Sequence, residues 1–414
     1  MDGIGKIIIW RIGMAKKKVL MIIPTLSNGG AERVVSNLSI GLEKEYDIDI
    51  LLDYDNVGYD YRGNIIKCLP NVKKEPKGLL KIFMNLKKYV MLRRMKKNHQ
   101  YDVYISHLRL SNFWNALSGS FNCSTIATVH YSISRKLSIT SKRPAWFYVE
   151  RYSYKNVNKL VAVSHGIGDE LHKIYGISDK NILTIWNGTD IAHIHKLSQE
   201  NISENKNKWF NDNEQNIVTV GRYTTQKGQW HLIRAFSKVV HVYPNAKLII
   251  LGEGELRGYY EELINKLKLN ENIVLGGFQD NPFAIIEKST IFALSSLWEG
   301  LPCTLVEAIC CGVPCIVTDF KSGSREILNI NHTLAFSAND YYIGAYGILT
   351  PICSGKRYMG NEPLEKAEEN LANAIIYLLD HPEECARLVH NNNSRIGEFS
   401  LEEMVNRWCK VIES

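Results

Sequence analysis

Short apolar runs rich in β-branched residues alternate with helical patterns along almost the whole chain, and this alternation restricts the fold more than any other feature. The runs are VLMIIP (19–24), DIDILL (47–52), DVYISH (102–107), TIATVH (125–130), KLVAVS (159–164), NILTIW (181–186), NIVTVG (216–221), KLIILG (247–252), NIVLGG (272–277), IFALSS (291–296) and CIVTDF (315–320). Runs that are apolar throughout are typical of parallel strands whose two faces are covered by helices. The sequence therefore predicts an α/β protein with two doubly wound parallel sheets in tandem.

The length of the chain indicates two domains, because 414 residues exceed what one hydrophobic core normally serves. Residues 195–216 are polar and rich in Asn, which predicts a surface connection. We place the boundary near Asp190, just before this connection. One domain is expected over residues 1–190 and a second over residues 191–396.

Both ends of the chain stand apart from these two domains. The first 13 residues, 1–13, precede a stronger start and are expected to be a dispensable extension. Residues 397–414 carry a helical pattern with Leu401, Met404 and Trp408 near one face. We expect this last helix to pack back on the first domain.

The composition, with 45% hydrophobic and 22% charged residues, is typical of a soluble globular protein. No apolar run approaches the ~20 residues of a membrane span, and the run IIIW is too short for a signal peptide, so we expect a cytoplasmic protein. Nine cysteines are present without a CxxC pair. Because Cys310, Cys311 and Cys315 lack further ligands at workable spacing, we interpret them as core residues and expect no metal.

The two halves of the chain differ in charge, with a balance of +13 over residues 1–190 and −6 over residues 191–414. A basic half favours an anionic partner such as a membrane surface, nucleic acid or phosphorylated substrate. Within it, residues 81–97 hold seven Lys and Arg and no acid. Because these charges are scattered around the helical wheel, two interpretations stay open: electrostatic contact with anionic lipid, or a cover helix whose cations face solvent.

The chemistry of such a protein is expected in the turns that follow the strands, because open α/β sheets bind ligands at the carboxyl ends of their strands. Gly29 and Gly30 open a helix there, where free backbone N–H groups can meet an anion. Arg222 and Lys227 lie in a loop between a predicted strand and a helix and could clamp a diphosphate without a metal. The alternative is that both are solvated surface charges.

Residues 295–319, SSLWEGLPCTLVEAICCGVPCIVTD, place two carboxylates, Glu299 and Glu307, in an apolar setting. A proline at the first position and Gly-Val-Pro beyond the end predict a helix over residues 302–311. Glu299 then lies in the loop before this helix, and Glu307 lies on it.

Glu307 shares a helical face with Cys303 and Thr304, in the turn whose free N–H groups can hold phosphate or sugar oxygens. A carboxylate on that face is suited to bind a pair of hydroxyls, as on a ribose. Glu299, beyond the helix start, is suited to bind a sugar. The alternative is that both acids cap the helix or pair with Arg325.

Taken together, these residues resemble the glycosyltransferases of family 4, which have the GT-B fold of two Rossmann-like domains facing across a cleft. The resemblance covers nearly the whole chain. It is carried by NGGAER (28–33), TVH (128–130), VSHGIGDEL (163–171), WNGTD (186–190), VGRYTTQKG (220–228), LGEGEL (251–256), EGLPCTLVEAICCGVP (299–314) and GSREIL (323–328), which appear in the family's order.

The resemblance implies a retaining transferase that moves a sugar from a nucleotide diphosphate donor without a metal. It implies that Arg222 and Lys227 bind the diphosphate, that Glu307 binds the ribose, and that Gly30 approaches the β-phosphate from the other domain. His130 is expected to hydrogen-bond the transferred sugar near the reacting carbon.

The resemblance also supplies the full set of expected site residues. The candidate catalytic residues are His130 and Glu299. The candidate donor-binding residues are Gly29, Gly30, Arg222, Lys227, Phe278, Gly300, Leu301, Pro302, Cys303, Thr304 and Glu307. The sequence departs from the family at Tyr131, where Asn or Asp is frequent, and residues 337–347 look longer than usual, which affects the acceptor side.

The expected reaction is transfer of a hexose or N-acetylhexosamine from a UDP-sugar, by same-face attack, to a glycan acceptor linked to polyprenyl diphosphate. This activity would serve bacterial surface polysaccharides such as lipopolysaccharide or capsule, at the inner face of the cytoplasmic membrane. The alternatives are a nucleotide-sugar 2-epimerase of the same fold and a transferase with a soluble acceptor. An exported sugar-binding receptor and a nucleic-acid binder are disfavoured, because neither a signal peptide nor a nucleic-acid motif is recognised.

Overall fold

The computed structural model describes residues 16–27, 29–134, 144–210, 215–320, 322–331 and 340–414. These residues form two α/β domains, each built on a seven-stranded sheet, so the predicted fold class is confirmed. The predicted extension, residues 1–13, and residues 337–339 of the long acceptor-side segment lie outside the described residues.

The first sheet is parallel throughout, with the spatial order β3-β2-β1-β4-β5-β6-β7. Its strands are β1 (Lys18–Ile22), β2 (Asp47–Tyr54), β3 (Asn64–Leu69), β4 (Val103–His107), β5 (Ser124–Val129), β6 (Lys159–Ala162) and β7 (Ile182–Thr184). Its described helices are α1 (Gly30–Leu42), α2 (Gly78–Lys97), α3 (Arg109–Leu117), α4 (Ala145–Lys155) and α5 (His165–Tyr175), with a 3-10 turn at Asp179–Asn181.

The second sheet has the order β10-β9-β8-β11-β12-β14-β13 and is parallel except at its last pair. Its strands are β8 (Asn216–Val220), β9 (Lys247–Leu251), β10 (Ile273–Gly277), β11 (Ile291–Leu294), β12 (Cys315–Thr318), β13 (Tyr342–Ile343) and β14 (Ile348–Thr350).

Helices and turns surround this second sheet, and three consecutive helices end the chain. They are α6 (Ile191–Ser198), α7 (Glu204–Asn207), α8 (Gln229–Val242), α9 (Arg257–Lys266), α10 (Phe283–Glu287), α11 (Cys303–Cys310), α12 (Ser324–Ile327), α13 (Lys366–Asp380), α14 (Pro382–Arg395) and α15 (Leu401–Glu413), with 3-10 turns at Thr225–Lys227 and Ile396–Phe399.

The strand order of both sheets reverses beside their first strand, between β1 and β4 and between β8 and β11. At such a reversal the helices that follow the two strands lie on opposite faces, which leaves a crevice at the carboxyl ends. The turn that contains Gly29 follows β1, His130 follows β5, Arg222 follows β8 and Glu299 follows β11. The topology therefore brings the predicted site residues to the two crevices.

Helix α15 returns the end of the chain to the first domain. Ser400 caps it by accepting a hydrogen bond from the Glu403 N–H, and Trp408 is buried in the apolar cluster that contains strand β1. A Cβ on Gly41 of helix α1 would collide with Val405. The two helices therefore pack so closely that glycine is required at their contact.

A carboxylate of the second domain also binds the first domain directly. Glu326 of α12 accepts hydrogen bonds from the backbone N–H groups of His165 and Gly166, at 2.8 and 2.9 Å, and from the Trp186 indole at 2.9 Å. These two N–H groups belong to the free start of helix α5, where a negative charge is favourable. Arg395 in turn donates to the backbone oxygen of Glu326 and fixes its position.

Residues 195–216, predicted to be a surface connection more than core, also contribute to the core. This segment includes the end of helix α6 and all of helix α7, and Trp209 and Phe210 pack against a hydrophobic core. Both aromatic side chains are large enough to gain from burial despite the polar residues around them. Residues 211–214 lie outside the described residues.

Helix α2, which contains the basic segment 81–97, has an inner face that includes cations. Lys88 is fully buried in an ion pair with Asp53, and Lys96 donates to the backbone oxygens of Asn115 and Gly119. The interpretation that all seven cations face solvent is therefore wrong. Within the described residues, no helix combines the length and the apolar character that crossing a membrane requires.

Candidate active site between the two domains

The turn at the start of helix α1 forms one wall of the site. Gly29 is extended, and a Cβ on it would collide with the Glu32 carboxylate, which folds back over the turn. Burial raises the pKa of Glu32, while a hydrogen bond from its own backbone N–H and the charge of Arg222 act in the opposite direction. The Glu32 carboxylate therefore lies at the turn of Gly29 and Gly30, where the sequence predicts that backbone N–H groups meet an anion such as a phosphate.

Gly30 has open space in front of it. A Cβ on Gly30 would meet no atom of the described residues within 4 Å. Glycine is thus not required there by the protein's own packing, and the space is available to a ligand that approaches the backbone.

Lys227 and Glu299 are directly paired on the opposite wall. Lys227 Nζ lies 2.6 Å from Glu299 Oε1, which also accepts a hydrogen bond from Ser296 Oγ at 2.8 Å. Gln226 Nε2 donates to Glu299 Oε2 at 2.9 Å. Because both carboxylate oxygens have protein donors, Glu299 is placed to orient Lys227, and its contact with a sugar stays a prediction.

Glu307 lies on α11, 8% exposed, and faces both domains. Burial raises its pKa, and the charges of Arg33 and Lys227 partly offset that rise. Arg33 of helix α1 reaches across the cleft, with its Nη1 3.4 Å from Glu307 Oε1. Arg325 instead pairs with Asp319, Nη2 to Oδ2, at 2.6 Å, so the interpretation that the glutamates pair with Arg325 is wrong.

The start of helix α11 is positioned against the first domain. Pro302 is the N-cap, and Cys303 Sγ accepts a hydrogen bond from Asn187 Nδ2 of the first domain at 3.6 Å. Thr304 Oγ1 is buried and has no hydrogen-bond partner among the described residues. A hydroxyl in that position beside free helix N–H groups is available to an anionic ligand.

Gly300 is a point of close contact between the two domains in the site. A Cβ on Gly300 would collide with the backbone oxygen of His130. Leu301 beside it is buried in an apolar cluster. The glycine therefore lets the turn after β11 reach the turn after β5, and any larger residue would hold the walls apart.

His130 contacts a second histidine that the sequence analysis did not assign. His107 Nδ1 of strand β4 lies 3.0 Å from His130 Nε2. Burial lowers the pKa of His130 to about 4, so its ring is neutral at pH 7. Tyr131, the departure from the family pattern, donates to the buried carboxylate of Glu150, which fixes the turn.

Two predicted donor-binding residues are open to solvent. The Phe278 side chain, after strand β10, is 67% exposed. Arg222 is also exposed, and its charge acts on Glu32 from the other domain. An exposed aromatic ring and an exposed guanidinium at strand ends are available for stacking and for phosphate binding.

Residues that could bind a metal lie outside this cleft. Within the described ranges, one such group has its ligand atoms within 4.8 Å of one another: His231, Cys353 and Glu365. His231 Nδ1 lies 2.7 Å from a Glu368 oxygen, and its Nε2 accepts from the Gly355 N–H, so the group forms a hydrogen-bonded network. We interpret it as structural.

The three clustered cysteines are buried as expected of core residues. Burial raises the pKa of the Cys310 thiol to about 12 and also raises the pKa values of Cys311 and Cys315. All three lie in the apolar cluster that packs around helix α11. Their thiols are therefore protonated at neutral pH, which does not favour metal binding.

Two family models match the chain, one in each domain. The model described as Glycosyltransferase Family 4 matches residues 28–193, and the model described as Glycosyl transferases group 1 matches residues 201–341. Together they span both walls of the cleft.

Curated relatives and solved structures agree with these matches. An uncharacterized glycosyltransferase of Methanocaldococcus jannaschii is 40% identical over 54% of this chain and 55% of its own length. A Campylobacter jejuni enzyme, N-acetylgalactosamine-N,N'-diacetylbacillosaminyl-diphospho-undecaprenol 4-alpha-N-acetylgalactosaminyltransferase, is 28% identical over 75% of this chain and 83% of its own. The crystal structure of Anabaena HepE in complex with UDP aligns with a TM-score of 0.70 at 16% identity, over 96% of this chain and 99% of that one.

The structural match shows the fold, and the sequence matches show the family. The predicted family, the predicted GT-B fold and the predicted class of enzyme are thereby confirmed. This chain belongs to glycosyltransferase family 4 and is a glycosyltransferase of the GT-B fold.

Proposed function

We propose that the enzyme transfers a hexose or N-acetylhexosamine from a UDP-sugar to a lipid-linked glycan acceptor and retains the configuration at the anomeric carbon. The proposal rests on one observation: Lys227, Glu307 and the open space at Gly30 lie in the same cleft. The C. jejuni relative, whose name specifies a diphospho-undecaprenol acceptor, and the UDP in the HepE crystal structure support it.

The donor-binding part of the proposal follows from the charges in the cleft. Lys227 and Arg222 neutralise the diphosphate, and the start of helix α11 with Thr304 Oγ1 donates further hydrogen bonds to it. Glu307 accepts hydrogen bonds from the two ribose hydroxyls. Arg33 contacts the same Glu307 carboxylate, so ribose binding replaces that contact.

Retention is proposed to arise from same-face attack by the acceptor hydroxyl. Negative charge develops on the departing diphosphate in such a step, and preorganised donors at that position lower the barrier. Lys227 is preorganised, because Glu299 and the turn around it hold its ammonium group in place.

Donor and acceptor are tested together by incubating the purified enzyme with a panel of nucleotide sugars and a polyprenyl-diphosphate-linked acceptor. Mass spectrometry is expected to show one added hexose or N-acetylhexosamine from one UDP-sugar. Nucleotide release without acceptor, together with a change in the donor sugar, would instead favour the 2-epimerase. Transfer only to soluble sugars would contradict the lipid-linked acceptor.

We further propose that transfer needs no divalent metal. Two cations and a helix start already supply positive charge where a metal would otherwise neutralise the diphosphate. The transfer rate is expected to stay within about twofold after treatment with EDTA. Complete loss of transfer in EDTA, restored by Mg²⁺ or Mn²⁺, would contradict this proposal.

Helix α2 is proposed to hold the enzyme against an anionic membrane. It exposes Leu79, Ile82, Phe83, Leu86 and Val90, while its five other cations stay outside the core. Apolar side chains flanked by Lys and Arg are suited to the headgroup region of a bilayer, where each basic residue contributes about 1 kcal/mol. The exposed apolar face adds to the electrostatic contact that the sequence indicates.

Co-sedimentation with vesicles tests this contact. Binding to vesicles with anionic lipid is expected at low salt, with release at high salt and no binding to neutral vesicles. Phe83→Asp should weaken binding, whereas Val242→Asp, which changes an exposed apolar residue on helix α8 of the other domain, should not. Equal binding of wild type to neutral vesicles, or an equal effect of the two variants, would contradict the proposal.

A further inference from the structure

Two histidines, His107 and His130, are in contact beneath the cleft. His107 ends strand β4 and His130 follows the neighbouring strand β5, and their ring nitrogens Nδ1 and Nε2 are 3.0 Å apart. His107 is fully buried, and the ring of Trp408 from helix α15 lies beside it, with centroids 6.4 Å apart. The His107 side chain therefore belongs to the packed interior, while His130 is only partly buried.

The unpaired nitrogen of His107 indicates which of the two rings donates. His107 Nε2 is buried and has no hydrogen-bond partner among the described residues. A neutral imidazole has one N–H donor and one acceptor nitrogen, so the proton of His107 lies on Nδ1 or on Nε2. A buried N–H without a partner is rarer in proteins than a buried acceptor without one. The proton is therefore on Nδ1, which faces His130.

The direction of this hydrogen bond determines the tautomer of His130. Because His107 Nδ1–H donates, His130 Nε2 accepts, and the single proton of the His130 ring lies on Nδ1. Burial lowers the pKa of both rings, so neither is expected to carry a second proton near pH 7. His130 is only partly buried, and its one hydrogen bond to a described residue uses Nε2, which leaves Nδ1 available to a ligand.

We infer that His107 is a positioning residue that holds His130 in the tautomer with its proton on Nδ1, so that His130 presents an N–H donor to an oxygen of the nucleotide-sugar donor. This inference rests on the proposed function and specifies the direction of the hydrogen bond between His130 and the donor. His130 donates a hydrogen bond to a hydroxyl of the transferred sugar and does not act as a proton acceptor at its exposed nitrogen. A buried residue at the end of strand β4 thereby affects the reaction without touching the substrate.

A matched pair of variants separates the hydrogen bond from the packing. Asn and Leu are similar in size, but only the Asn amide can supply an N–H group in the place of His107 Nδ1. His107→Leu is expected to lower kcat by on the order of 10–100-fold, and His107→Asn should restore most of that loss. Both variants should bind UDP as wild type does, because UDP lacks the transferred sugar. Wild-type kcat in His107→Leu, or equal losses in both variants, would overturn the inference.

A spectroscopic measurement tests the tautomer without any turnover. In a ¹⁵N-histidine-labelled enzyme, two-bond nitrogen–proton correlations identify the protonated nitrogen of each ring, and a His130→Gln variant assigns the signals of His130. The expected result is protonation on Nδ1 in wild type and a shift toward Nε2 in His107→Leu. Protonation on Nε2 in wild type would overturn the inference even if His107→Leu does not fold. If no nucleotide sugar is a donor, the proposed function fails, and the tautomer is still decided by this spectrum.

Discussion

Several charged residues of the cleft contact one another or the backbone of the site. Lys227 is held by Glu299, Arg33 contacts Glu307, and the Glu32 carboxylate covers Gly29. A buried carboxylate without a partner is unfavourable, so these contacts stabilise the cleft. In the proposed complex the donor replaces the contacts of Glu307 and Glu32, whereas the pair of Lys227 and Glu299 persists and orients the ammonium group.

Removal of either main donor-binding charge is expected to abolish most of the transfer. Glu307→Ala and Lys227→Ala should each lower kcat/KM by an amount equivalent to about 2–4 kcal/mol, because each removes a charge-assisted contact in a closed cleft. Lys238→Ala, on the adjacent helix α8, serves as the control and should keep wild-type kinetics. Transfer within twofold of wild type in the two site variants would contradict the donor assignment.

Because the pKa of Glu307 is raised, we expect the free energy of unfolding to increase as the pH falls. Since burial favours the protonated form in the folded state, acidification through the raised pKa stabilises the folded protein. Glu307→Gln, which is always uncharged, is therefore expected to be more stable than wild type at pH 7, with a difference that shrinks as the pH falls. Urea denaturation at several pH values measures this. A Gln variant less stable than wild type at every pH would contradict it.

Some residues of the site can be predicted from the sequence, and others cannot. Arg222, Lys227 and Glu307 stand in local patterns, a loop after a strand and a helix start, which restrict where their side chains lie. The roles of Arg33 and His107 depend on contacts with residues 274 and 23 positions away, which only the packing of the domains reveals. The motif NGGAER (28–33) contains Arg33, but it does not identify Glu307 as the partner of Arg33.

At the scale of elements, the sequence predicts the buried strands and also β7 and β10, which are half-buried edge strands within apolar runs. The predicted helix 302–311 corresponds to α11, Cys303–Cys310. Strand β3 escaped prediction because it is an edge strand with a half-exposed, mixed pattern, and β13 and β14 are only two and three residues long. The sequence did not show that helix α2 buries cations. Lys88 lies on its buried face, and its burial depends on an ion pair with Asp53, which is distant in sequence.

Helix α15 is expected to be essential for the stability of the first domain. Trp408 is 2% exposed and lies in a core with residues of strands β1 and β4, so Trp408→Ala should lower the free energy of unfolding by about 3–5 kcal/mol. Asn406→Ala, on the exposed face of the same helix, serves as the control and should change it by less than about 0.5 kcal/mol. A loss of less than about 1 kcal/mol in Trp408→Ala would show that the helix is not part of this core.

At the scale of the whole molecule, the two domains meet both in the cleft and behind it. Gly300 touches the turn of His130 in the cleft, while Glu326 binds the start of helix α5 and the Trp186 indole. Charge-assisted hydrogen bonds of this kind fix an orientation as well as stabilising it. The walls that carry Arg33 and Glu307 are therefore held at a defined separation, which suits a site that binds one nucleotide sugar between them.

The configuration of the bond formed by the enzyme distinguishes retention from inversion. The donor is proposed to lie between Lys227 and Glu307, and the acceptor hydroxyl to attack from the face that the diphosphate leaves. A UDP-sugar, in which the sugar is α-linked, should therefore give an α-linked product, as read from the anomeric proton couplings of the first product by NMR. An α-linked product is the predicted result, and a β-linked product would contradict the account.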